Sequence, residues 1–237
     1  MHFDGRADRR KCDAAVVVII DVLRATSVIA CALGNGATEI VPVAEVEAAR
    51  TLARAAAERP LLGGEAGNLK IEGFDLGNSP QEYDPQRVGG RSIILRTTNG
   101  TRALAAYRDA PALWCAAFAN AGAVINALAA SSAVSAQLVC AGQEGAFSLE
   151  DFLCAGVLVD GLAALRDVQP DDGAVSAREL FRANHDGVAA LIAQGSHARA
   201  LAAAGFEGDI AFAAQIDRHS VLPVLDGSRI VSAPDTT

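Results

Sequence analysis

The sequence predicts an α/β fold built on a largely parallel sheet, and three observations carry that prediction. Strand-like and helix-like segments alternate along most of the chain. The run Ala14-Ala15-Val16-Val17-Val18-Ile19-Ile20 is apolar and mostly β-branched, the pattern of a strand buried on both faces, as parallel strands are. Of 237 residues 51% are hydrophobic but 5% are aromatic, so the core must be built from Ala, Val, Leu and Ile.

Each element follows from local pattern. Residues 25–33 read as a helix stopped by Gly34-Asn35-Gly36. A short strand is expected over 38–43 and an amphipathic helix over 45–58. Leu61-Leu62 begin a strand that runs into Gly63-Gly64. From 63 to 88 Gly, Asn, Asp and Pro are frequent and periodicity is lost; so long a structureless stretch in a domain is usually functional. A strand at 92–95, a helix at 100–107, a strand at 113–117, a helix at 121–130 and a strand at 137–141 continue the alternation. Helices are expected over 150–165, 174–193 and 196–204. The layouts of 16–43 and 113–141 are alike, each running strand, polar residue, helix, strand, which an internal duplication of βαβ units would explain. No change of composition marks a linker, so residues 1–237 are expected to form one domain.

Composition excludes several functions. With 20 basic and 28 acidic residues the net charge is −8, and the one basic run is Arg9-Arg10-Lys11. Nonspecific nucleic-acid binding is therefore not expected. The apolar run ending at Ile20 is too short for a signal peptide and has no cleavage site behind it. The Ala-rich segment 110–134 is interrupted by Asn120 and Asn126 and too polar to span a bilayer. Five widely spaced cysteines without a Cys-x-x-Cys pair argue against a disulfide framework or zinc ribbon; Cys115 and Cys140 read as small core residues, and the reduced cytoplasm is the expected compartment. The four histidines lack zinc-hydrolase spacing, and no Gly-x-Ser-x-Gly elbow is present.

Ligands of open α/β sheets gather at the C-terminal ends of strands, where four polar clusters are expected. The first is Asp21-Val22-Leu23-Arg24-Ala25-Thr26-Ser27. A strand-end carboxylate, an arginine and the hydroxyls of Thr26 and Ser27 in a first helical turn can hold a divalent cation and an anion together. The same spacing suits Asp21 as a mere helix cap, with Arg24 paired to an outside carboxylate. In the second cluster Thr97, Thr98, Asn99, Gly100 and Thr101 lie between Arg96 and Arg102, a backbone cradle for an oxyanion without the Gly-x4-Gly-Lys of a Walker loop.

The third cluster is the long loop. Glu65, after a strand and two glycines, is a candidate hard-cation ligand, and the glycines around Asn78 in Gly73-Phe74-Asp75-Leu76-Gly77-Asn78-Ser79-Pro80 let backbone approach a ligand; a plain surface loop is the alternative. The fourth joins Cys140-Ala141-Gly142-Gln143-Glu144-Gly145 to Ser148-Leu149-Glu150-Asp151. Ser148 and Asp151 have capping-box spacing, which explains Asp151 without a metal and leaves Glu150 unexplained. Carboxylates and anion cradles at successive strand ends point to a Mg²⁺-dependent site for a phosphorylated or strongly acidic small molecule.

In their order along the chain, Asp21-Val22-Leu23-Arg24-Ala25-Thr26-Ser27, Gly63-Gly64-Glu65, the string from Gly73 to Pro80, Thr97-Thr98-Asn99-Gly100-Thr101-Arg102-Ala103-Leu104, Cys140-Ala141-Gly142 and Glu150-Asp151 resemble the ComB family of 2-phosphosulfolactate phosphatases. The likeness covers about residues 16–217. It implies a Mg²⁺-dependent acid phosphatase that hydrolyses 2-phospho-3-sulfolactate to 3-sulfolactate and phosphate, a step toward coenzyme M in methanogens. It also implies a three-layer α/β/α fold with a largely parallel or mixed sheet. That fold is unrelated to the haloacid dehalogenase phosphatases, whose Asp-x-Asp pair is absent from Asp21-Val22-Leu23.

On this reading Asp21 and Arg24 are catalytic, and Mg²⁺ is held by some of Asp21, Glu65, Glu150 and Asp151. The phosphorylated, sulfonated substrate is bound by Thr26, Ser27, Asn78 and the 97–101 turn. The sequence leaves open whether Asp21 attacks phosphorus or only binds metal. The alternative function is a phosphoryl-ligand binding or sensing protein that has the cradle without turnover. Ala66 stands where the family usually carries Arg, and residues 1–13 show no evident N-terminal strand. The Ala-rich helices suit a homodimer or packing inside the domain equally well.

Overall fold

A nine-stranded mixed sheet runs through the computed structural model, which describes residues 14–234. The expected alternation is found. Strand β1 (Val16–Ile20) leads to α1 (Ala25–Gly34), β2 (Glu39–Val43) to α2 (Val46–Ala55), and β3 (Leu61–Ala66) to the two-residue β4 (Leu69–Lys70). After the short α3 (Pro85–Val88) come β5 (Ser92–Arg96) and α4 (Gly100–Ala106), then β6 (Leu113–Ala116), α5 (Ala121–Ala130) and β7 (Ala136–Cys140). The C-terminal third holds α6 (Leu149–Leu165), α7 (Asp172–Ala183), α8 (Val188–Ile192), α9 (Ser196–Ala203) and α10 (Glu207–Ala213), then a hairpin of β8 (Pro223–Asp226) and β9 (Arg229–Ser232).

Two expectations change. The stretch 63–88 is not structureless: it contains β4, a 3-10 turn at Pro80–Glu82 and α3, started by Pro85 after the Asp84 cap. The helix expected over 174–193 breaks at Asn184, where a 3-10 turn separates α7 from α8. Asn184 and Gly187, both poor helix formers, sit at the break. The hairpin, for which the sequence reading has no element, enters the middle of the sheet and makes it mixed, one of the two forms expected.

The strand order is β4-β3-β5-β2-β9-β8-β6-β1-β7. Strands β3, β5 and β2 form one parallel trio, and β6, β1 and β7 another. Antiparallel pairings at β2–β9, β9–β8 and β8–β6 join them, so the trios run in nominally opposite senses. Adjacent strands twist by about 20–25°, and the five steps from β5 to β1 therefore rotate strand direction by roughly 100–125°. The turn that follows β5 reaches the C-terminal end of β1, where Gly100 lies against Asp21. The two segments with similar layouts do not share a topology: β1 and β2 belong to different trios, whereas β6 and β7 flank β1.

Side chains of β1 alternate between two cores. Val17 and Ile19 face α1, with Ile40, Ile93 and Leu95 in the same cluster; Val16, Val18 and Ile20 face α5 and α6. On the face opposite α1, a smaller cluster of Ala49, Leu62 and Ile94 seats α2. Helices thus cover both faces, giving three layers. Cys31, Cys115, Cys140 and Cys154 are free and buried, and burial raises each thiol far from its ordinary range, as small core residues require. Cys12 lies outside the described residues. Among the described residues no helix is long and apolar enough to cross a membrane.

Candidate functional site

Asp21 leaves β1 buried, and a web of short bonds fixes it. Its backbone N–H donates to Thr26 Oγ1 (2.9 Å), and its Oδ1 accepts from the Ala25 N–H (3.2 Å). Capping thus engages one oxygen. The other, Oδ2, faces Gly100 at the start of α4, and a Cβ there would lie 2.9 Å from it and 2.5 Å from the Ala25 methyl. Glycine at 100 allows this approach of the 97–101 turn to Asp21.

Glu65, near the end of β3, bridges two turns. Its Oε1 accepts from the Thr98 N–H (2.7 Å) and its Oε2 from the Asn68 N–H (3.0 Å). Asp151 bridges the exits of β1 and β7, accepting from Val22 N–H (2.8 Å) and Gly142 N–H (3.1 Å). The capping-box explanation of Asp151 is half right: Ser148 Oγ accepts from the Asp151 N–H, but the Asp151 carboxylate reaches across to two other strand ends.

Glu150, almost fully buried, brings the residue that sequence reading missed. Its Oε1 lies 3.0 Å from Nδ1 of buried His197, and its Oε2 has no hydrogen-bond partner. His197 lacks metal-binding spacing with the other histidines, and no local pattern links it to a carboxylate 47 positions away.

Asp21, Glu65, Glu150 and Asp151 are all buried and act on one another electrostatically. Burial pushes Asp21 up to about 6; the charge of His197 and the Ala25 N–H oppose this, and the negative charges of Glu150 and Glu65 add to it. Asp151 is raised well above the ordinary carboxylate range, first by burial and then by Asp21 and Glu150. Groups that resist ionising together form a site that favours an added cation.

Several predicted site residues have other roles. Arg24 is not open to a ligand. Its Nη1 bonds Asp209 Oδ2 (2.8 Å), its Nη2 the Asn68 carbonyl (2.9 Å), and its guanidinium lies 4.4 Å from the Phe206 ring centroid. Asp209 also accepts from Ser79 Oγ (2.5 Å) and Gln81 Nε2 (3.1 Å), so one buried carboxylate ties α10 to the long loop and the first motif. Arg24 thus pairs with an outside carboxylate, one of the two readings its spacing allowed.

Thr26 Oγ1 braces Asp21, and Ser27 Oγ donates to the Val22 carbonyl (2.7 Å); both hydroxyls serve the loop's own geometry. In the second cluster Thr97 Oγ1 accepts from the Thr101 N–H, and Thr101 Oγ1 donates to the Thr97 carbonyl. With the Thr98 N–H given to Glu65, the Asn99 and Gly100 amides are the cradle's remaining candidates; Asn99 Oδ1 accepts from the Glu144 N–H (3.2 Å). Arg96 braces the same turn, bonding the Glu65 carbonyl and Thr98 Oγ1. Asn78 is buried beside Ser79 with Oδ1 unpartnered. A cavity of about 520 Å³ lies at the other end of β7, lined by Ser135, Ala136, Arg166 and Asp171, and none of these site residues borders it.

A full four-carboxylate cage for Mg²⁺ is not formed: among the described residues no three His, Cys, Asp or Glu side chains group closely enough to hold an ion. Mg²⁺ needs less, commonly one or two carboxylates completed by water and substrate phosphate. The unpartnered Glu150 Oε2 and the Oδ2 of Asp21 suit that smaller requirement.

The match to known families is extensive. The family model described as 2-phosphosulpholactate phosphatase matches residues 4–228. The chain belongs to the 2-phosphosulfolactate phosphatase family. Among its relatives, proteins named probable 2-phosphosulfolactate phosphatase occur in Caldanaerobacter subterraneus subsp. tengcongensis, at 40% identity over 92% of this chain and 91% of that protein, and in Symbiobacterium thermophilum, at 42% over 91% and 93%. Another, from Synechococcus sp. strain RCC307, is 43% identical over 90% of this chain and 89% of its own. In this member of the 2-phosphosulfolactate phosphatase family, the buried carboxylates and the 97–101 turn are built from the motifs that first suggested the likeness.

Proposed function

We propose that this protein hydrolyses 2-phospho-3-sulfolactate to 3-sulfolactate and phosphate, with Mg²⁺ as its cofactor. Family membership supports the reaction class, and the observation that carries the site is a pair of buried carboxylates, Asp21 and Glu150, each with an oxygen left over and within electrostatic reach of the other. Asp21 and Glu150 would hold the ion through their open oxygens, with Glu65 and Asp151 contributing negative charge from fixed positions. When bound, Mg²⁺ polarises phosphoryl oxygens and lowers the barrier to attack at phosphorus.

The chain's own residues do the rest. The 97–101 turn, pinned to Glu65 through the Thr98 N–H, sits against Asp21 and presents backbone amides where a phosphate would lie. Arg24 acts from behind, through its pair with Asp209, by fixing the loop that carries Asp21. The remaining role of Asp21 is ligand or nucleophile, and both need its carboxylate.

The test is phosphate release from 2-phospho-3-sulfolactate with Mg²⁺ and with EDTA, for wild type and Asp21→Asn. Asparagine caps a helix about as well as aspartate, so the variant should remain folded, with a cooperative melting transition. Turnover should fall in EDTA, and kcat/KM should drop about a hundredfold in the variant, about 3 kcal/mol of transition-state stabilisation. Binding of phosphate or substrate without turnover by wild type would favour a sensor. A variant that melts normally and keeps more than a third of the activity would leave Asp21 a helix cap.

A further inference from the structure

We infer that His197 is a positioning residue for this site: its Nδ1–H holds one oxygen of Glu150 so that the other stays available to a divalent cation. The inference rests on the phosphatase reading above and extends it to a residue no motif of the chain announced. Three observations carry it.

The first is the direct bond, 3.0 Å from Nδ1 to Glu150 Oε1, between side chains both buried. The second is what the bond leaves over. Glu150 Oε2 is buried without a partner, and an unsatisfied buried acceptor is costly and calls for an explanation. The spare oxygen lies beside Gly195, which caps α9; a Cβ there would stand 3.4 Å from it, an ordinary contact.

The third observation is placement. Glu150 shares its surroundings with Asp21 and Asp151, both negative when ionised, and like charges would drive its side chain away. His197, in the first turn of α9, is close enough for its charge to act on Asp21 as well. Hydrogen bonds that orient a metal-binding carboxylate typically change metal affinity by about 10- to 100-fold when removed.

The experiment measures Mn²⁺ binding by loss of the free-ion EPR signal, without substrate, beside Mg²⁺-dependent kcat and KM. Two substitutions of similar polarity separate positioning from packing. His197→Asn keeps a donor near the Nδ1 position, and His197→Gln moves it toward Nε2. The Gln variant should bind Mn²⁺ at least tenfold more weakly and lose kcat with KM little changed, while the Asn variant stays within about threefold of wild type on both measures. In a Glu150→Gln background the Gln substitution should have no further effect.

Equal weakening in both variants, or none in His197→Gln, would overturn the role. Should His197→Gln fail to fold, the Asn variant decides: retained Mn²⁺ binding where Glu150→Gln loses it supports the role, and lost binding overturns it. Wild type that takes up no Mn²⁺ would contradict the metal reading itself. Uptake undiminished in His197→Gln contradicts the part given to His197 alone.

Discussion

Asp21 in this fold is a carboxylate kept partly against its own ionisation. Burial raises it to about 6, against about 3.9 in an unfolded chain. A raised carboxylate favours folding while protonated, so its contribution is fully present below about pH 4 and is lost as pH rises through about 6. Without a divalent ion, keeping Asp21 charged at neutral pH costs on the order of 3 kcal/mol. Melting in EDTA should therefore show wild type losing stability relative to Asp21→Asn between pH 4 and 7. Mg²⁺ should reverse the difference above pH 6. A difference between the two proteins that stays flat with pH would mean Asp21 is not buried among like charges.

At this scale the sequence was informative about which carboxylates matter and less so about their neighbours. Asp21, Glu65, Glu150 and Asp151 are legible because each follows a strand or opens a helix in a motif. The partners of Arg24 and Glu150 are not, because Asp209 and His197 lie 185 and 47 positions away and are single polar residues in ordinary helices. Ser27 gives its hydroxyl proton to the Val22 carbonyl, whereas Thr26 Oγ1 accepts from the Asp21 N–H and keeps its own proton to donate.

Among the elements, β3 shows how a strand aims a carboxylate. Gly64 has φ +137°, and a Cβ there would stand 2.0 Å from the Arg96 carbonyl of neighbouring β5. Gly64→Ala should cost about 3 kcal/mol from backbone strain and the clash combined, a fall in melting temperature of roughly 6–12 °C. It should also weaken the hold of Glu65 on Thr98, so activity should fall at temperatures where the variant is still folded. Unchanged melting would show that β3 and β5 can separate freely.

Helix α10 is tied by charge. Removing Asp209 leaves Arg24 buried without its counter-ion, and Asp209→Ala should cost about 3–5 kcal/mol, measured by urea denaturation. A loss below 1 kcal/mol would mean that water reaches the pair. The glycine and the strand ends were readable from turn residues; α10 and the hairpin were not. Their segments are short, and the hairpin signal, Asp226-Gly227-Ser228 between apolar residues, comes after the motifs have ended.

For the whole molecule, alternation of strands and helices gave the layers but not the sense of the sheet. A parallel reading follows from β-branched runs and crossover helices, which both trios have. The hairpin that reverses one trio relative to the other is eight strand residues long, too little to register in composition. The turn after β5 reaches the end of β1, so residues some 80 positions apart meet at Asp21 and Gly100.

The central claim is that these strand ends make one divalent-cation site for phosphomonoester hydrolysis. Its most direct test is the anomalous signal of Mn²⁺ in crystals of the wild-type protein soaked with Mn²⁺ and inorganic phosphate. A peak is expected at the carboxylates of Asp21 and Glu150, with phosphate beside the 97–101 turn. A Mn²⁺ peak elsewhere on the molecule, with these carboxylates bare, would contradict it.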